Sequence, residues 1–314
     1  MSRKVLLQLV LPLIGLSVLF WLLAFAPGDK HHQPALLEMS VILRDGDGNV
    51  SAMRKGMEQA AKDLNVELRF LTPAEDDSAV EQVQLLEHEV SGAAPAILLI
   101  PADREALGEA VSAAAGKTTL VTVESDMTAW GADASISMDH QALGEALGKA
   151  ALNGVPFGGT VLLLDSLLGD NGVRERMEAA KALLEEKGRQ VRICRWTSDS
   201  TAFANILRIE RPKAVIAFEA AALTEMAELS RGEEAFPLLY GCGSTASIAA
   251  ALEKGRVTAI AAINVFSAGY LAVEAAAKLA RHESWTGASS VCFSVVRQET
   301  MYSSDNQKLL FPVT

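Results

Sequence analysis

Short apolar runs alternate with amphipathic segments along almost all of the chain after residue 35. The runs at 96–100 and 161–164 are apolar without interruption, as expected of strands that are covered on both faces. The segments between the runs, such as 50–64, have the length and the spacing of apolar residues that amphipathic helices show. Strands that alternate with helices are typical of βαβ units and parallel sheets, so we predict an α/β fold.

This alternation supplies ten candidate strands and nine candidate helices. The strands are predicted at 38–43, 66–71, 96–100, 119–123, 134–138, 159–164, 190–195, 214–218, 237–241 and 257–262. The helices are predicted at 50–64, 78–89, 104–115, 140–152, 172–186, 200–209, 221–231, 244–254 and 268–280. One compact doubly wound sheet seldom carries so many strands. We therefore predict two Rossmann-like lobes, each built on a parallel sheet.

The N-terminal segment has a different pattern. Residues 5–26 carry no charge, and Arg3 and Lys4 precede them. About 20 apolar residues match the hydrocarbon thickness of a bilayer, and basic flanking residues favour the cytoplasmic side. We predict that residues 1–35 form an N-terminal membrane anchor with one transmembrane helix. The expected location is the cell membrane, with a single pass and the body outside the cytoplasm.

A cleaved signal segment is the alternative interpretation of this region. Ala24-Phe25-Ala26 offers a small-x-small cleavage site, but Pro27 follows it directly. The apolar stretch is also longer than the about 7–15 residues of a signal peptide core. The length favours the uncleaved anchor, and no cysteine lies near this end to carry a lipid. If the segment is cleaved, we expect a secreted or periplasmic protein.

The charge and the cysteines argue against two classes of function. The net charge of −11 disfavours nucleic acid as a partner, because phosphate binding needs a basic surface. The three cysteines, Cys194, Cys242 and Cys292, are far apart and have no neighbours at the spacing of zinc ligands. All three lie in strand-like apolar segments, which predicts buried free thiols.

The body shows no catalytic motif: GxSxG, a P-loop, HExxH and a GxGxxG after the first strand are all missing from the sequence. The loop at 45–49 begins like a calcium loop, yet Val50 and Gly56 stand where such a loop needs glycine and a bidentate glutamate. A polar loop after the first strand is also where open α/β sheets bind ligands. We predict no catalytic residue, no cofactor and no metal.

The order of these segments resembles the type I periplasmic binding proteins, the ribose- and galactose-binding kind found with ABC transporters. No single landmark is specific, but their common order is. The landmarks are the polar loop after the first strand, 56–61, Asp77 with Gln82, 96–103, 137–140 with Gly144, 174–176, 255–259, 269–273 and 304–306. Related repressors begin with a helix-turn-helix, whereas this chain begins with the apolar segment.

The resemblance implies two lobes joined by three crossovers, with a solute held between them as they close. It implies a first lobe of residues 36–137 plus 264–283. It implies a second lobe of residues 138–263 plus 284–314.

In sugar-binding members of this family, carboxylates, amides and arginine bind the hydroxyl groups, and aromatic rings cover the apolar side of the sugar. When the ligand positions of the family are carried over to this sequence, the resemblance, together with the loops after the strands, implies seven candidate residues. The predicted ligand-binding residues are Asp45, Asp47, Glu124, Trp130, Arg176, Glu219 and Asn264. Gly243 and Ile263 replace an aspartate and a glutamine of the family, which indicates a changed ligand or weak sugar binding.

Each candidate also has a purely structural interpretation. Arg176 and Glu124 are then solvated or ion-paired residues, and Trp130 is a packing residue. Glu219 then caps the helix that follows it, and Asn264 satisfies the backbone of the hinge. The candidates are also rich in carboxylates, which leaves a cationic or amine-bearing solute open as an alternative to a sugar.

We predict an extracytoplasmic substrate-binding protein, and not an enzyme, that captures a small polar, carbohydrate-like solute for an ABC permease. One alternative is a membrane-tethered ligand sensor that presents its state to a histidine kinase or receptor, and the uncleaved anchor favours it. A remote alternative is a membrane-anchored α/β enzyme. None of the five histidines lies in a serine or cysteine motif of the kind that such an enzyme needs.

Overall fold

The computed structural model describes residues 35–44, 50–75, 78–165, 171–196, 200–231 and 235–311. The predicted N-terminal anchor and the loop with Asp45 and Asp47 lie outside these residues. Within the described ranges, no helix has the length and the hydropathy needed to cross a membrane. Residues 36–314 form one structural unit, which contains two sheets.

The first sheet has five strands, all parallel, in the order β2-β1-β3-β4-β5. They are β1 (Leu37–Ile42), β2 (Val66–Leu71), β3 (Ala96–Leu99), β4 (Thr119–Glu124) and β5 (Ala134–Ser137). The strand β3 is buried throughout and β1 is buried from Met39 to Ile42, as expected of strands with helices on both faces. This sheet and its helices are called the first lobe below.

Helices cover both faces of this sheet. They are α1 (Val50–Leu64), α2 (Ala79–Ser91), α3 (Arg104–Ala114) and, from late in the chain, α9 (Val265–Ala280). The helices α1 and α9 pack on one face and against each other, and α2 and α3 pack on the other. A Cβ on Gly56 would lie 2.0 Å from the Phe266 carbonyl oxygen, so α1 and α9 approach this closely only because residue 56 is glycine.

The second sheet has the order β11-β10-β9-β8-β6-β7, with β11 antiparallel to β10 and the other pairs parallel. Its strands are β6 (Thr160–Asp165), β7 (Gln190–Arg195), β8 (Ala214–Ala217), β9 (Leu238–Cys242), β10 (Ala259–Ile263) and β11 (Phe293–Val296). Its helices are α4 (His140–Leu152), α5 (Asn171–Glu186), α6 (Ser200–Glu210), α7 (Ala220–Leu229), α8 (Ala246–Glu253) and α10 (Ser304–Leu310). This sheet and its helices are called the second lobe.

The chain passes between the two sheets three times: from β5 to α4, from β10 to α9, and from α9 to β11. The first and third passages run side by side. The Ser137 N–H donates to the Ser289 carbonyl oxygen at 2.9 Å, and the Val291 N–H donates to the Ser137 carbonyl oxygen at 2.8 Å. The predicted two-lobed α/β architecture is therefore confirmed, while the exact lobe boundaries stay a prediction.

All ten predicted strands and all nine predicted helices are present, with ends that differ by a few residues. The sequence analysis missed β11, because no helix separates it from α9 and its residues have mixed burial. Local capping sets several helix starts. The Asp139 carboxylate accepts from the Ala142 N–H at 2.8 Å at the start of α4. The Asp103 carboxylate does the same for Glu105 and Ala106 at the start of α3.

Candidate ligand-binding cleft

The cleft lies where the carboxyl ends of parallel strands present their loops, which is the usual ligand site of open α/β sheets. In the first lobe, Arg44 follows β1 and Glu124 ends β4. In the second lobe, Glu219 follows β8 and Asn264 follows β10. Helix α5 adds Arg176 near its amino end.

Arg44 and Glu124 form an ion pair at the first-lobe wall. Arg44 Nη1 lies 3.5 Å from Glu124 Oε2, and the two side chains are 14% and 16% exposed. The strand β3 lies between β1 and β4 in the sheet, so the pair spans the end of that strand. The wall thus offers a carboxylate and a guanidinium together, and Arg44 offsets the negative charge that the sequence predicts for Glu124.

Glu124 also has an unusual backbone conformation, with φ of 70°. A non-glycine residue in the left-handed region costs about 1–3 kcal/mol, and the other four such residues described, Asn65, Ala93, Arg211 and His282, lie at turns after helices rather than at a strand end. The backbone at this position is held by contacts to its carbonyl oxygen. The Ser137 hydroxyl donates to that oxygen at 2.6 Å, and the His140 Nε2 lies 2.9 Å from it.

His140 and Arg176 continue these contacts into the second lobe. Arg176 Nε–H donates to His140 Nδ1 at 3.0 Å, so the His140 proton is assigned to Nε2, which donates to the Glu124 carbonyl oxygen. Arg176 Nη1 donates to the Phe218 carbonyl oxygen at 3.2 Å, and its Nη2 lies 3.6 Å from Met138 Sδ. A chain of hydrogen bonds therefore runs from the end of β4 in the first lobe to the end of β8 in the second.

Arg176 is only 6% exposed, and most of its donors face protein acceptors. Burial raises the pKa of the Cys242 thiol to about 11, although the charge of Arg176 and its hydrogen bond lower this pKa in part, and Glu219 adds a smaller increase. Arg176 and Glu219 thus both act on the Cys242 thiol at the second-lobe wall. Arg176 donates to the carbonyl oxygen of Phe218, which precedes Glu219, and through His140 it is linked to the carbonyl oxygen of Glu124.

An ion pair joins the lobes near Trp130. Arg104 Nη1, at the start of α3 in the first lobe, lies 3.4 Å from Glu175 Oε1 on α5 in the second lobe. The Arg104 guanidinium also lies 5.8 Å from the centre of the Trp130 ring. The ring also lies against Gly108, where a Cβ would lie 2.3 Å from Trp130 Nε1. Trp130 thus packs on α3 under the ion pair, and its contact with a ligand stays a prediction.

Asn264 has a structural partner at the second passage between the lobes. Its Oδ1 accepts from the Ser267 N–H at 3.0 Å and caps α9, as the structural interpretation of this residue expects. Glu219 stands at the N-cap of α7 without a side-chain capping bond. The roles of Glu124, Arg176, Glu219 and Asn264 toward a ligand stay predictions.

Two features of the site differ from the sequence analysis. His140 connects Glu124 with Arg176, but the sequence marked it only as a family landmark, because its two partners are distant in the chain. The prediction of three buried cysteines was wrong for one of them. Cys194 and Cys242 are buried, whereas Cys292 is exposed because the segment before β11 lies at the surface.

The sequence matches the profile of the periplasmic binding protein domain over residues 40–284. The chain belongs to the periplasmic binding protein family. This periplasmic binding protein has the type I form of the fold, which is a fold of binding proteins and not of enzymes. No curated protein sequence matches the chain significantly.

Solved structures of sugar-binding proteins share the fold at low sequence identity. A solute-binding protein of an ABC transporter from Agrobacterium vitis, with bound D-fucose, has a TM-score of 0.81 and 19% identity over 87% of this chain and 100% of that one. A carbohydrate transporter solute-binding protein from Agrobacterium radiobacter, with D-arabinose, has a TM-score of 0.79 and 17% identity over 88% and 99%. XylFII has a TM-score of 0.76 and 17% identity over 84% and 100%, and a chain of the XylFII–LytSN complex has a TM-score of 0.77 and 17% identity over 85% and 99%.

Proposed function

We propose that this periplasmic binding protein captures a small polar solute, a sugar or a close relative of one, between its two lobes and delivers it to an ABC permease. The observation that carries the proposal is the Arg44–Glu124 ion pair, which is partly exposed at the carboxyl ends of β1 and β4. A carboxylate accepts hydrogen bonds from adjacent hydroxyl groups, and a guanidinium donates to hydroxyl and ring oxygens.

The charge balance of the first-lobe wall favours a neutral ligand with several hydroxyl groups over a cationic ligand. Glu124 already has a cationic neighbour in Arg44, so an incoming ammonium group would have to compete with it. Related folds are solved with D-fucose and D-arabinose. These proteins share under a fifth of their residues with this chain, so they support the ligand class and not an individual sugar.

Contacts between the lobes explain how a ligand would close the cleft. Ligand that touches Glu124 in the first lobe and the Arg176–Glu219 wall in the second would stabilise the arrangement in which Arg104 pairs with Glu175. Such stabilisation follows when a ligand binds one conformation better than another. The permease would then recognise the closed form.

We also propose that residues 5–26 hold the protein in the cell membrane, with the body outside. This proposal depends on the uncharged length of the segment and on the basic residues before it. If the segment is cleaved after Ala26, the protein is periplasmic or secreted and the binding function is unchanged. N-terminal sequencing of the protein from membranes distinguishes these two fates.

A signalling role is the second candidate. XylFII, which has the same fold, is found in a complex with LytSN. A binding protein that stays tethered would meet a membrane sensor as readily as a permease. This role uses the same ligand cleft and differs only in the partner.

The test is a thermal-shift screen of the full-length chain, purified in mild detergent, against monosaccharides, polyols, amino acids and amines. A ligand at a hundred times its dissociation constant adds about 2.7 kcal/mol to the free energy of unfolding, which such a screen detects. We expect a monosaccharide to raise the melting temperature and Glu124→Gln to remove that shift.

The matched control is Glu58→Gln, which alters an exposed carboxylate on α1 that pairs with Arg54. It should keep the full sugar shift. A shift from amino acids or amines alone, lost in Glu124→Gln, would replace the sugar with another solute class. Absence of any shift would argue against solute capture and for a protein partner.

A further inference from the structure

A second cavity lies in the first lobe, away from the cleft. Its volume is about 740 Å³, and it lies at the amino ends of β1 and β2 beside the carboxyl end of α2. The lining includes Glu38, Ser40, Glu67, Arg69, His88 and Glu89. Ser40 in this lining and Arg44 at the cleft are four residues apart, so at about 3.3 Å per residue roughly 13 Å of extended chain separate the nearest part of the cavity from the cleft.

A buried carboxylate forms one wall of the cavity. Glu89 is 2% exposed, and its Oε2 accepts from the Ser40 hydroxyl at 2.5 Å and from Arg69 Nη2. Glu89 Oε1 accepts no hydrogen bond from any residue within the described part of the chain. One oxygen of a nearly fully buried carboxylate is thus left to face the cavity that the side chain lines.

The position of this carboxylate is costly in two ways. Glu89 lies in the last turn of α2, where the helix dipole is negative and disfavours an anion. Its cationic partner is largely in water, because the Arg69 side chain is 61% exposed. Arg69 Nη2 contacts both this carboxylate and the Ser40 hydroxyl, and a further cation at the free oxygen would add to that stabilisation.

The other acidic residues of the lining, Glu38 and Glu67, add further negative charge around the cavity. Glu38 pairs with Glu67 across β1 and β2, and Ser40 pairs with Arg69 one step further along the same face. Three carboxylates therefore surround the cavity against Arg69 and His88. The described residues contain no group of side chains arranged to hold a metal ion. The volume of the cavity is ample for a small organic cation.

We propose that the first lobe carries a second binding site, in which Glu89 Oε1 accepts a hydrogen bond from a primary ammonium group of a small organic cation. Glu38 and Glu67 add the field that attracts a second ammonium group at the mouth. The site is independent of the solute cleft, because it uses neither Glu124 nor the second lobe.

Isothermal titration calorimetry of the full-length chain with 1,4-diaminobutane tests the site. We expect binding to the wild type, at least tenfold weaker binding to Glu89→Gln, and no binding of 1,4-butanediol, which has the same length without charge. Arg69→Gln should tighten binding severalfold, because Arg69 competes for the same carboxylate. The exposed Glu58→Gln change on α1 should leave binding unchanged.

Glu38→Gln and Glu67→Gln keep the test valid if Glu89→Gln folds poorly, since both residues are exposed; each should weaken diamine binding a few-fold. Equal affinity of the wild type and these variants would overturn the proposal, as would no heat from the wild type. Glu124→Gln separates the two sites. Diamine binding that is lost in Glu124→Gln and kept in Glu89→Gln would place the amine in the cleft instead.

Discussion

Arg176 on the second-lobe wall and Arg44 on the first-lobe wall both lie at the cleft, yet their guanidinium groups have different surroundings. Arg176 is buried and donates to His140, to the Phe218 carbonyl and toward Met138. Arg44 faces a carboxylate that is still partly exposed. An arginine at a ligand position of the family thus has most of its donors engaged within the protein, while the Arg44–Glu124 pair, of which the family pattern marks only Glu124, is still partly exposed.

The first prediction concerns the buried arginine, Arg176. Arg176→Ala removes several hydrogen bonds from a charged donor and leaves the Phe218 carbonyl and the His140 ring unsatisfied. We expect the free energy of unfolding to fall by about 3 kcal/mol, measured by urea denaturation. Lys181→Ala on the same helix, whose side chain is exposed and pairs with Glu185, should cost less than about 0.5 kcal/mol. Similar losses for the two variants would show that the hydrogen bonds of Arg176 contribute little to stability.

His140→Leu tests the connection between the walls. Leucine offers neither the acceptor for Arg176 Nε nor the donor for the Glu124 carbonyl oxygen, so we expect a loss of about 2 kcal/mol in urea denaturation. His140→Gln keeps a donor and an acceptor on one amide and should lose clearly less. If the two variants are equally stable, the hydrogen bonds of His140 do not join the lobes energetically.

The third prediction concerns the backbone strain at Glu124 on the first-lobe wall. Glu124→Gly and Glu124→Ala both remove the carboxylate, but only alanine keeps a Cβ at φ of 70°. We expect the glycine variant to be more stable than the alanine variant by about 1 kcal/mol, and neither variant to bind solute. Chemical denaturation measures the first and thermal shift the second. Equal stability would show that the backbone relaxes when the side chain is removed.

The next prediction concerns the reactivity of the cysteine thiols, and it has the smallest expected effect on the protein. Burial raises the pKa of Cys242 from 9.0 to about 11, so its thiol stays protonated near pH 8, whereas Cys292 is exposed. We expect iodoacetamide at pH 8 to label Cys292 and to leave Cys242 unlabelled, as read by mass spectrometry of the native protein.

The raised pKa of Cys242 also sets the sign of a pH effect. The unfolded thiol ionises near its ordinary pKa and the folded one only near 11, so the contribution of Cys242 to stability is complete below pH 9. It is lost as the pH rises from 9 toward 11. A stability that increases over this interval would contradict the buried position beside Arg176.

Much of the fold was predictable because its signals are local. Apolar runs marked β1 to β10, and the amphipathic pattern marked α1 to α9. The strand β11 was missed because its pairing with β10 depends on a passage between lobes that no local pattern records. In the site, the sequence selected Glu124 and Arg176, yet it had no signal for the links through His140 and Arg44, since these join residues that are far apart in the chain.

The order and the type of the elements, the family, and the side chains that follow each strand were therefore accessible without coordinates. Periodicity, strand ends and caps depend on neighbours within a few residues, so they can be read from the chain alone. Which of those side chains are buried, which pair across a strand or between lobes, and which face a cavity depends instead on how the elements pack in three dimensions. Those outcomes depend on distances between elements, which set desolvation and pairing together.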